Sequence, residues 1–304
     1  MTEYLPLKKS QIPLFREVPF YYKTQSNEYA LYKKKGECFG EDRLVVVKYP
    51  DLYIRETDRD QAIAELSAAL NKNFKKNVAE GKLRQVREAL AQIVEEALTP
   101  GQEASFNSLP ETLEILMDRY SGDHMAMNLL AKLGTNSSVL VEHTVNVTAL
   151  VLQYCFFYDL AEADTQQMAM AALLHDVGCS QFDKKLVETS KRLTDNQFET
   201  YKTHPNLGHD ITQNHANFDI AIPTAIQEHH ERLDGSGYPE GKNRISSYSQ
   251  LIGLIDCYEA LTYHSKSFRK KKRPYDTLSI IKQEVVEKKF SKDIYKRFTS
   301  CLVR

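Results

Sequence analysis

Five of the nine histidines stand where their neighbours turn them inward. His143 shares a helical face with Leu140, Val147 and Tyr154. His175 is followed at once by Asp176, at the end of the apolar run Ala171 to Leu174. His204 stands at a helix end before Pro205, and the adjacent His229 and His230 lead into Glu231. Asp256 interrupts Leu251 to Ile255, a run that reads as fully buried. Burying an unpaired carboxylate costs several kcal/mol or forces its protonation. A metal ion removes that cost. Imidazole with carboxylate suits iron, manganese, zinc or nickel, whereas magnesium and calcium favour all-oxygen sites. This inventory of inward nitrogen and oxygen ligands suits a pair of ions. Two ions about 3.5–4 Å apart hold a bridging hydroxide and clamp a phosphodiester for in-line attack.

The elements that must position these residues are mostly helical. From Ser137 onward the pattern is that of one helical domain. A first helix carries Leu140, Val147, Leu150, Val151 and Tyr154 on one face, and a second, from Met168 to Leu174, has Gly178 placed to terminate it. Thr194 and Gln197 have the spacing of a capping box that opens a third helix. Ile220 to His230 and Ser247 to Leu261 read as a fourth and fifth, and Thr277 to Leu302 offers one or two more. Upstream, Val18 to Tyr22, Tyr29 to Tyr32, Leu44 to Val47 and Leu52 to Arg55 are β-branched or aromatic, with Gly36, Gly40 and Pro50 as punctuation. Helical spacing then begins at Asp58, with Ala62, Leu66, Leu70, Val86, Leu90, Ile93 and Ala97 on it. Pro100 and Gly101 end that run, and Leu109 to Leu133 is a further helical stretch. The expected fold is mainly α. A smaller N-terminal α+β domain occupies 1–118, strand-rich to about 57, and a helical domain occupies 119–304. The N-terminal part carries no chemical signature and is expected to regulate or to bind a partner.

The formal net charge of −1 gives no argument for non-specific binding to nucleic acid or to an anionic membrane. No apolar run approaches the roughly 18 residues of a membrane span, and residues 1–13 lack the features of a signal peptide. Cys38, Cys155, Cys179, Cys257 and Cys301 are odd in number and scattered, which suits reduced thiols in the cytoplasm.

The series His143, Leu174-His175-Asp176-Val177-Gly178, His204-Pro-Asn-Leu-Gly208, His229-His230-Glu231-Arg-Leu-Asp-Gly235-Ser-Gly237-Tyr238-Pro239 and Asp256 closely resembles the HD-GYP phosphodiesterases. The likeness covers about Ser137 to Tyr275, somewhat under half of the chain. It implies an all-helical HD-type phosphohydrolase domain whose metal ligands are His143, His175, Asp176, His204, His229, His230 and Asp256, with Asp176 bridging two ions. It implies hydrolysis of cyclic di-GMP through a metal-bridging hydroxide, with iron the first candidate metal and manganese the next. Gly235, Gly237, Tyr238 and Pro239 correspond to the loop that gives the family part of its name. Related loops meet partner signalling proteins, and Tyr238 is expected on such a surface, away from the metals.

The chain departs from the family pattern at several positions. Cys179 occupies the place of the lysine of HDxGK, which handles phosphate or the leaving oxygen, and a thiol offers no full positive charge at pH 7. Losing one preorganised donor costs on the order of 10²–10³ in rate. Gln250 replaces an arginine, Glu259 an aspartate, and Asp276 a basic residue after Arg273-Pro274-Tyr275. An insertion follows Leu261 and precedes Arg273-Pro274-Tyr275, and the basic run Arg269 to Arg273, with Lys272 and Arg273 foremost, is expected to meet substrate phosphate. Val139 stands where members with a third metal carry a glutamate, so two ions are expected. His124, His209, His215 and His264 fit no motif and are expected to have no ligand role. Two alternatives stand beside the hydrolase: a catalytically weakened protein that senses a cyclic dinucleotide or scaffolds a partner, and a hydrolase of another phosphoester.

Overall fold

A computed structural model describes residues 3–37 and 50–303. The strand expected at Leu44 to Val47 lies outside the described residues. Four short strands form an antiparallel sheet: β1 (Tyr4–Pro6), β2 (Phe20–Lys23), β3 (Tyr29–Lys33) and β4 (Leu52–Arg55), in spatial order β1-β4-β2-β3. Strand alternation decides which face is covered. Leu52 and Ile54 of β4 are buried while Tyr53 and Arg55 are not, and Arg55 lies over the Tyr21 ring. Lys33 is buried as well, its Nζ donating to the carbonyls of Arg16 and Val18 at 2.7 and 2.9 Å.

Thirteen helices follow among the described residues: α1 (Arg59–Glu80), α2 (Leu83–Ala97), α3 (Leu109–Tyr120), α4 (His124–Lys132), α5 (Val139–Phe157), α6 (Glu162–Leu174), α7 (Lys184–Val187), α8 (Asp195–Tyr201), α9 (His204–Thr212), α10 (Ala221–Glu228), α11 (Ser247–Thr262), α12 (Pro274–Val286) and α13 (Lys292–Val303). The stretch Leu109 to Leu133 is two helices, because Asp123 caps α4 by accepting from the Ala126 amide. The Thr194–Gln197 capping box forms as expected. Gly178 does not terminate α6. His175 already ends that helix, and Gly178 sits in the following 3₁₀ turn against α9. A Cβ there would fall 2.0 Å from the His204 carbonyl oxygen, so this glycine serves close approach.

One apolar core runs through both parts of the chain. The division expected after residue 118 falls inside α3, whose Leu113 and Leu116 share that core with Leu90 and Val94 of α2 and Val145 and Leu152 of α5. The reading that no apolar run matches a membrane span needs correction. At 19 residues and a mean hydropathy of 1.3, α5 passes by length and composition. Within the fold, 78% of that span is buried. Its apolarity is that of a central helix surrounded by others.

A buried ion pair fixes α5 to the N-terminal half. The Arg87 guanidinium, 1% exposed, pairs with the Glu142 carboxylate and donates to the Leu130 carbonyl at 2.9 Å. Glu142 also accepts from the Thr135 amide at 2.9 Å. Glu142 adjoins His143, so this pair sets the rotation of α5 about its axis. Removing one partner of a buried pair costs about 3–5 kcal/mol. Glu142 keeps some contact with water, whereas Arg87 has almost none. Glu142→Leu, which strands the buried cation, should therefore destabilise more than Arg87→Leu in urea unfolding, at about the upper and lower ends of that range.

Candidate metal centre

Three histidines are presented by one repeated device. His175 ends α6 and its Nδ1 lies 2.7 Å from the Ala172 carbonyl. His229 ends α10 with Nδ1 2.7 Å from the Ile226 carbonyl. His204 opens α9 with Nδ1 2.8 Å from the Tyr201 carbonyl. In each case Nδ1–H donates to a carbonyl three residues back, which fixes the tautomer and leaves the Nε2 lone pair free. His143, on α5, donates Nδ1–H to the Glu259 carboxylate of α11 at 2.5 Å. Glu259 is fully buried and also accepts from Asn146 Nδ2 at 2.6 Å.

The freed Nε2 atoms converge on Asp176. Its Oδ2 lies 3.4 Å from His175 Nε2 and 3.7 Å from His143 Nε2. Its Oδ1 lies 3.1 Å from His204 Nε2 and 3.9 Å from His229 Nε2. The carboxylate thus turns one oxygen to each of two histidine sets. Asp256 stands between the sets, 3.2 Å from His143 Nε2 and 3.7 Å from His230 Nδ1. Ligand atoms of Asp176, His204, His229 and His230 lie within 4.8 Å of one another, as do those of His143, His175 and Asp176.

The donor set fits divalent metal ions, and one feature makes little sense without a cation. His143 Nε2 faces His175 Nε2 at 3.2 Å, and His204 Nε2 faces His229 Nε2 at 3.3 Å. Burial, reinforced by His175 and His204, pushes His229 down to about 3, so this ring is neutral and points a bare lone pair at its neighbour. Burial opposes charge on His143, yet Glu259 and Asp256 outweigh it and hold its pKa well above the usual histidine value. The cluster without metal therefore takes up a proton where a cation belongs. Burial likewise opposes charge on Asp176, but His175, His204 and His143 hold its carboxyl well below the ordinary range.

All seven residues expected as ligands are brought together, and the unassigned residues around them now have positions. Glu259 is a positioning carboxylate for His143, one helical turn from Asp256 on α11; that i, i+3 spacing was the available signal. His264 was read as unrelated, yet its Nε2 lies 2.8 Å from Glu259 Oε1. His215 packs against Phe218. Tyr238 does not lie away from the site. Its ring stacks on His230 with centroids 4.6 Å apart. The loop that carries it closes on Glu231, whose buried carboxylate accepts from the Glu240 and Lys242 amides at 2.7 and 2.9 Å. Gly235 has a φ of +77°, and a Cβ on Gly237 would lie 2.4 Å from the Arg232 nitrogen. The glycines of this string thus fold the loop, and Pro239 follows Tyr238 through a cis peptide.

Two further expectations change. Arg273 is highly exposed and pairs with Asp276 at 2.9 Å, so it does not face the cluster; Lys272 does not line the chamber either. The cations that line the small chamber over His143, Asp176 and Asp256 are Lys266 and Arg269, with Tyr201 on the same wall. Cys179 is buried, its Sγ 3.9 Å from Asp176 Oδ1. Burial and the Asp176 charge push its thiol pKa well up, so it is a neutral, weak donor.

Glu259→Gln removes charge at nearly constant shape. Metal affinity should fall about 10–100-fold in a chelator competition, the usual scale for a ligand's outer partner. Metal uptake displaces the His143 proton, so affinity in the natural protein should rise with pH. The variant lowers the His143 pKa and should flatten that rise.

A model of the HD domain family matches residues 126–294, a little over half of the chain. Over 139 residues the chain is 28% identical to the cyclic di-GMP phosphodiesterase PA4108 of Pseudomonas aeruginosa, covering 45% of this chain and 34% of that protein. Over 172 residues it is 29% identical to the cyclic di-GMP phosphodiesterase PdeB of Borreliella burgdorferi, covering 55% and 43%. The chain therefore spans well under half the length of these curated relatives. The solved structure of Bd1817, a HDG"Y"P protein from Bdellovibrio bacteriovorus, superposes with a TM-score of 0.63 over 99% of both chains at 17% identity, which speaks to fold. The two histidine sets around a shared aspartate and the match over 126–294 lead to one assignment: the chain belongs to the HD domain family.

Proposed function

We propose that this protein hydrolyses cyclic di-GMP with a pair of divalent metal ions held on its histidines. The observation that carries the reading is Asp176, each of whose oxygens faces a separate histidine set. His143, His175, Asp176 and Asp256 would hold one ion, and Asp176, His204, His229 and His230 the other. Iron, then manganese, suits this mixture of imidazole and carboxylate. When bound, such a pair supplies Lewis acidity toward phosphate and activates water for attack on phosphorus. The names of the curated relatives support cyclic di-GMP as the substrate, and the free thiols support a reducing, cytoplasmic setting.

The chain's own residues do the remaining work. Glu259 orients His143, and the carbonyls of Ala172, Tyr201 and Ile226 orient three other rings. Tyr201 keeps its proton, because burial and the Asp176 charge both raise its pKa, so it is a donor on the chamber wall. The ring of Tyr238 keeps water from one face of His230. The loop around it and the N-terminal part remain the surfaces for a partner signalling protein.

A second reading follows from Cys179. A neutral, buried thiol stands where the family carries a cation, which favours a protein that binds the dinucleotide and turns it over slowly or not at all. Hydrolysis of another phosphoester is the weaker alternative, since the HHERLDGSGYP string is the part of the sequence most specific to HD-GYP proteins.

Anaerobically purified protein, with metal quantified in the same sample, should hydrolyse cyclic di-GMP. Asp176→Asn should lose metal from both halves together with activity. A cavity of about 230 Å³ beside Cys179 gives a longer side chain room. Cys179→Lys should therefore raise turnover, by up to the factor of about 10²–10³ that one preorganised donor contributes. Two bound metals with no turnover in either the natural protein or Cys179→Lys would overturn the hydrolase reading in favour of the sensor.

A further inference from the structure

Beside the metal chamber lies a second cavity, of about 690 Å³, within the size range of ligand pockets. The two are contiguous, since Val187, Tyr201 and Lys266 line both. Lys266 brings the insertion after α11 into the lining they share, and that insertion is tied down at several points. Ser267 donates from its amide and its hydroxyl to the Ser190 carbonyl at 2.8 and 2.9 Å. Lys266 Nζ donates to the Thr189 carbonyl at 3.0 Å, and Arg269 Nη2 to the Ala260 carbonyl at 2.8 Å. The insertion is thus held in place by backbone carbonyls on both sides of it.

Its charge is uncompensated. Lys266, Arg269 and Arg192 have no carboxylate within ion-pair distance among the described residues, whereas Arg273, Lys202 and Lys242 all do. Burial and the neighbouring Arg269 both push the Lys266 pKa down, so the two cations repel one another in a partly dry place. An anion between them would relieve both effects. The cavity also carries two large, exposed apolar rings, Phe268 at 56% and Phe198 at 44% exposure, the latter with its edge toward Tyr238 and Lys202 over its face. Exposed rings beside unpaired cations match a ligand that has both a flat aromatic base and a phosphate. Asp195 is the one carboxylate in this lining, an acceptor suited to the N–H donors on the edge of guanine.

We propose that this cavity is a nucleotide subsite. It would take one purine base of the cyclic dinucleotide against Phe198 and Phe268, and that nucleotide's phosphate on Lys266, Arg269 and Arg192, while the other phosphodiester lies at the histidines. The inference rests on the cyclic-dinucleotide reading above and deepens it. It assigns substrate capture to the insertion, and not to the Arg273-Pro274-Tyr275 segment, whose arginine is engaged by Asp276.

The test uses the metal-loaded full chain with cyclic di-GMP as probe. KM and kcat are read where it turns over, and the dissociation constant where it does not. Lys266→Met, Phe268→Ala and Arg192→Ala should each weaken KM or Kd by about tenfold, the scale of one base stack or one phosphate contact. Metal content should stay at the natural level. Phe268 and Arg192 are exposed, so those two variants fold even if Lys266→Met loosens the loop. Unchanged KM or Kd in Phe268→Ala and Arg192→Ala would overturn the subsite and leave the hydrolase reading standing. A loss confined to Arg273→Ala would do the same. If the natural protein with both metals bound fails to bind cyclic di-GMP, the subsite and the substrate reading fall together. If it binds without turnover and the variants weaken binding, the subsite holds and only hydrolysis is lost.

Discussion

Two pairs of imidazole nitrogens face each other at 3.2 and 3.3 Å around a nearly dry carboxylate. Each ring of three has committed its Nδ1–H to a backbone carbonyl and the fourth to Glu259, so little remains to place between the facing lone pairs except a positive charge. Asp176 and Asp256 add negative charge to the same small volume. In a low-dielectric interior such a cluster is costly unless a cation compensates it. The rest of the fold can be understood as what holds these atoms together against that cost.

Holding them requires close approaches at three glycines, two of them to backbone and one to a side chain. Gly178 of the HD turn meets the His204 carbonyl, Gly208 of α9 meets Ile226 of α10, and Gly253 of α11 meets the His229 carbonyl. A Cβ on Gly178 or Gly253 would sit 2.0 or 2.1 Å from a carbonyl oxygen, far inside contact distance. A backbone cannot yield as a flexible side chain does, so Gly178 and Gly253 set the separation between ligand-bearing segments. On the opposite side, the Arg87–Glu142 pair sets the orientation of the helix that carries His143. That contact makes the N-terminal half part of the site's support, whatever else it binds.

The ligands themselves were legible because each must satisfy a local rule as well as a chemical one. A histidine at a helix end, a carboxylate inside an apolar run and a small residue at a crossing all leave marks within a few residues. The capping box at Thr194 was legible for the same reason. What could not be read was set by contacts across the chain. Glu259 and His264 acquire meaning only when α11 packs on α5, 116 positions away for the His143–Glu259 bond. Tyr238 was misplaced because the loop's closure on Glu231 is a tertiary fact. Arg273 and Lys266 are basic residues seven positions apart, and only the fold shows that the first turns to Asp276 and the second to the site. The apolar length of α5 was underestimated because Glu142 and His143 interrupt it, and both are matched by partners that sequence does not display.

The exchange of a lysine for Cys179 is best understood by where charge sits relative to Asp176. A lysine there would place a cation beside the carboxylate that both histidine sets share. The thiol places only a neutral, weakly donating group 3.9 Å from it. The positive charge of the neighbourhood lies instead on Lys266 and Arg269, on a loop held by backbone carbonyls. A cation fixed in the core acts where charge develops during reaction, and so on kcat. A cation at the rim acts on encounter and binding, and its effect is felt in KM and screened by salt. The arrangement therefore separates two tasks that one lysine combines, capture of the phosphate and assistance at the reacting atoms.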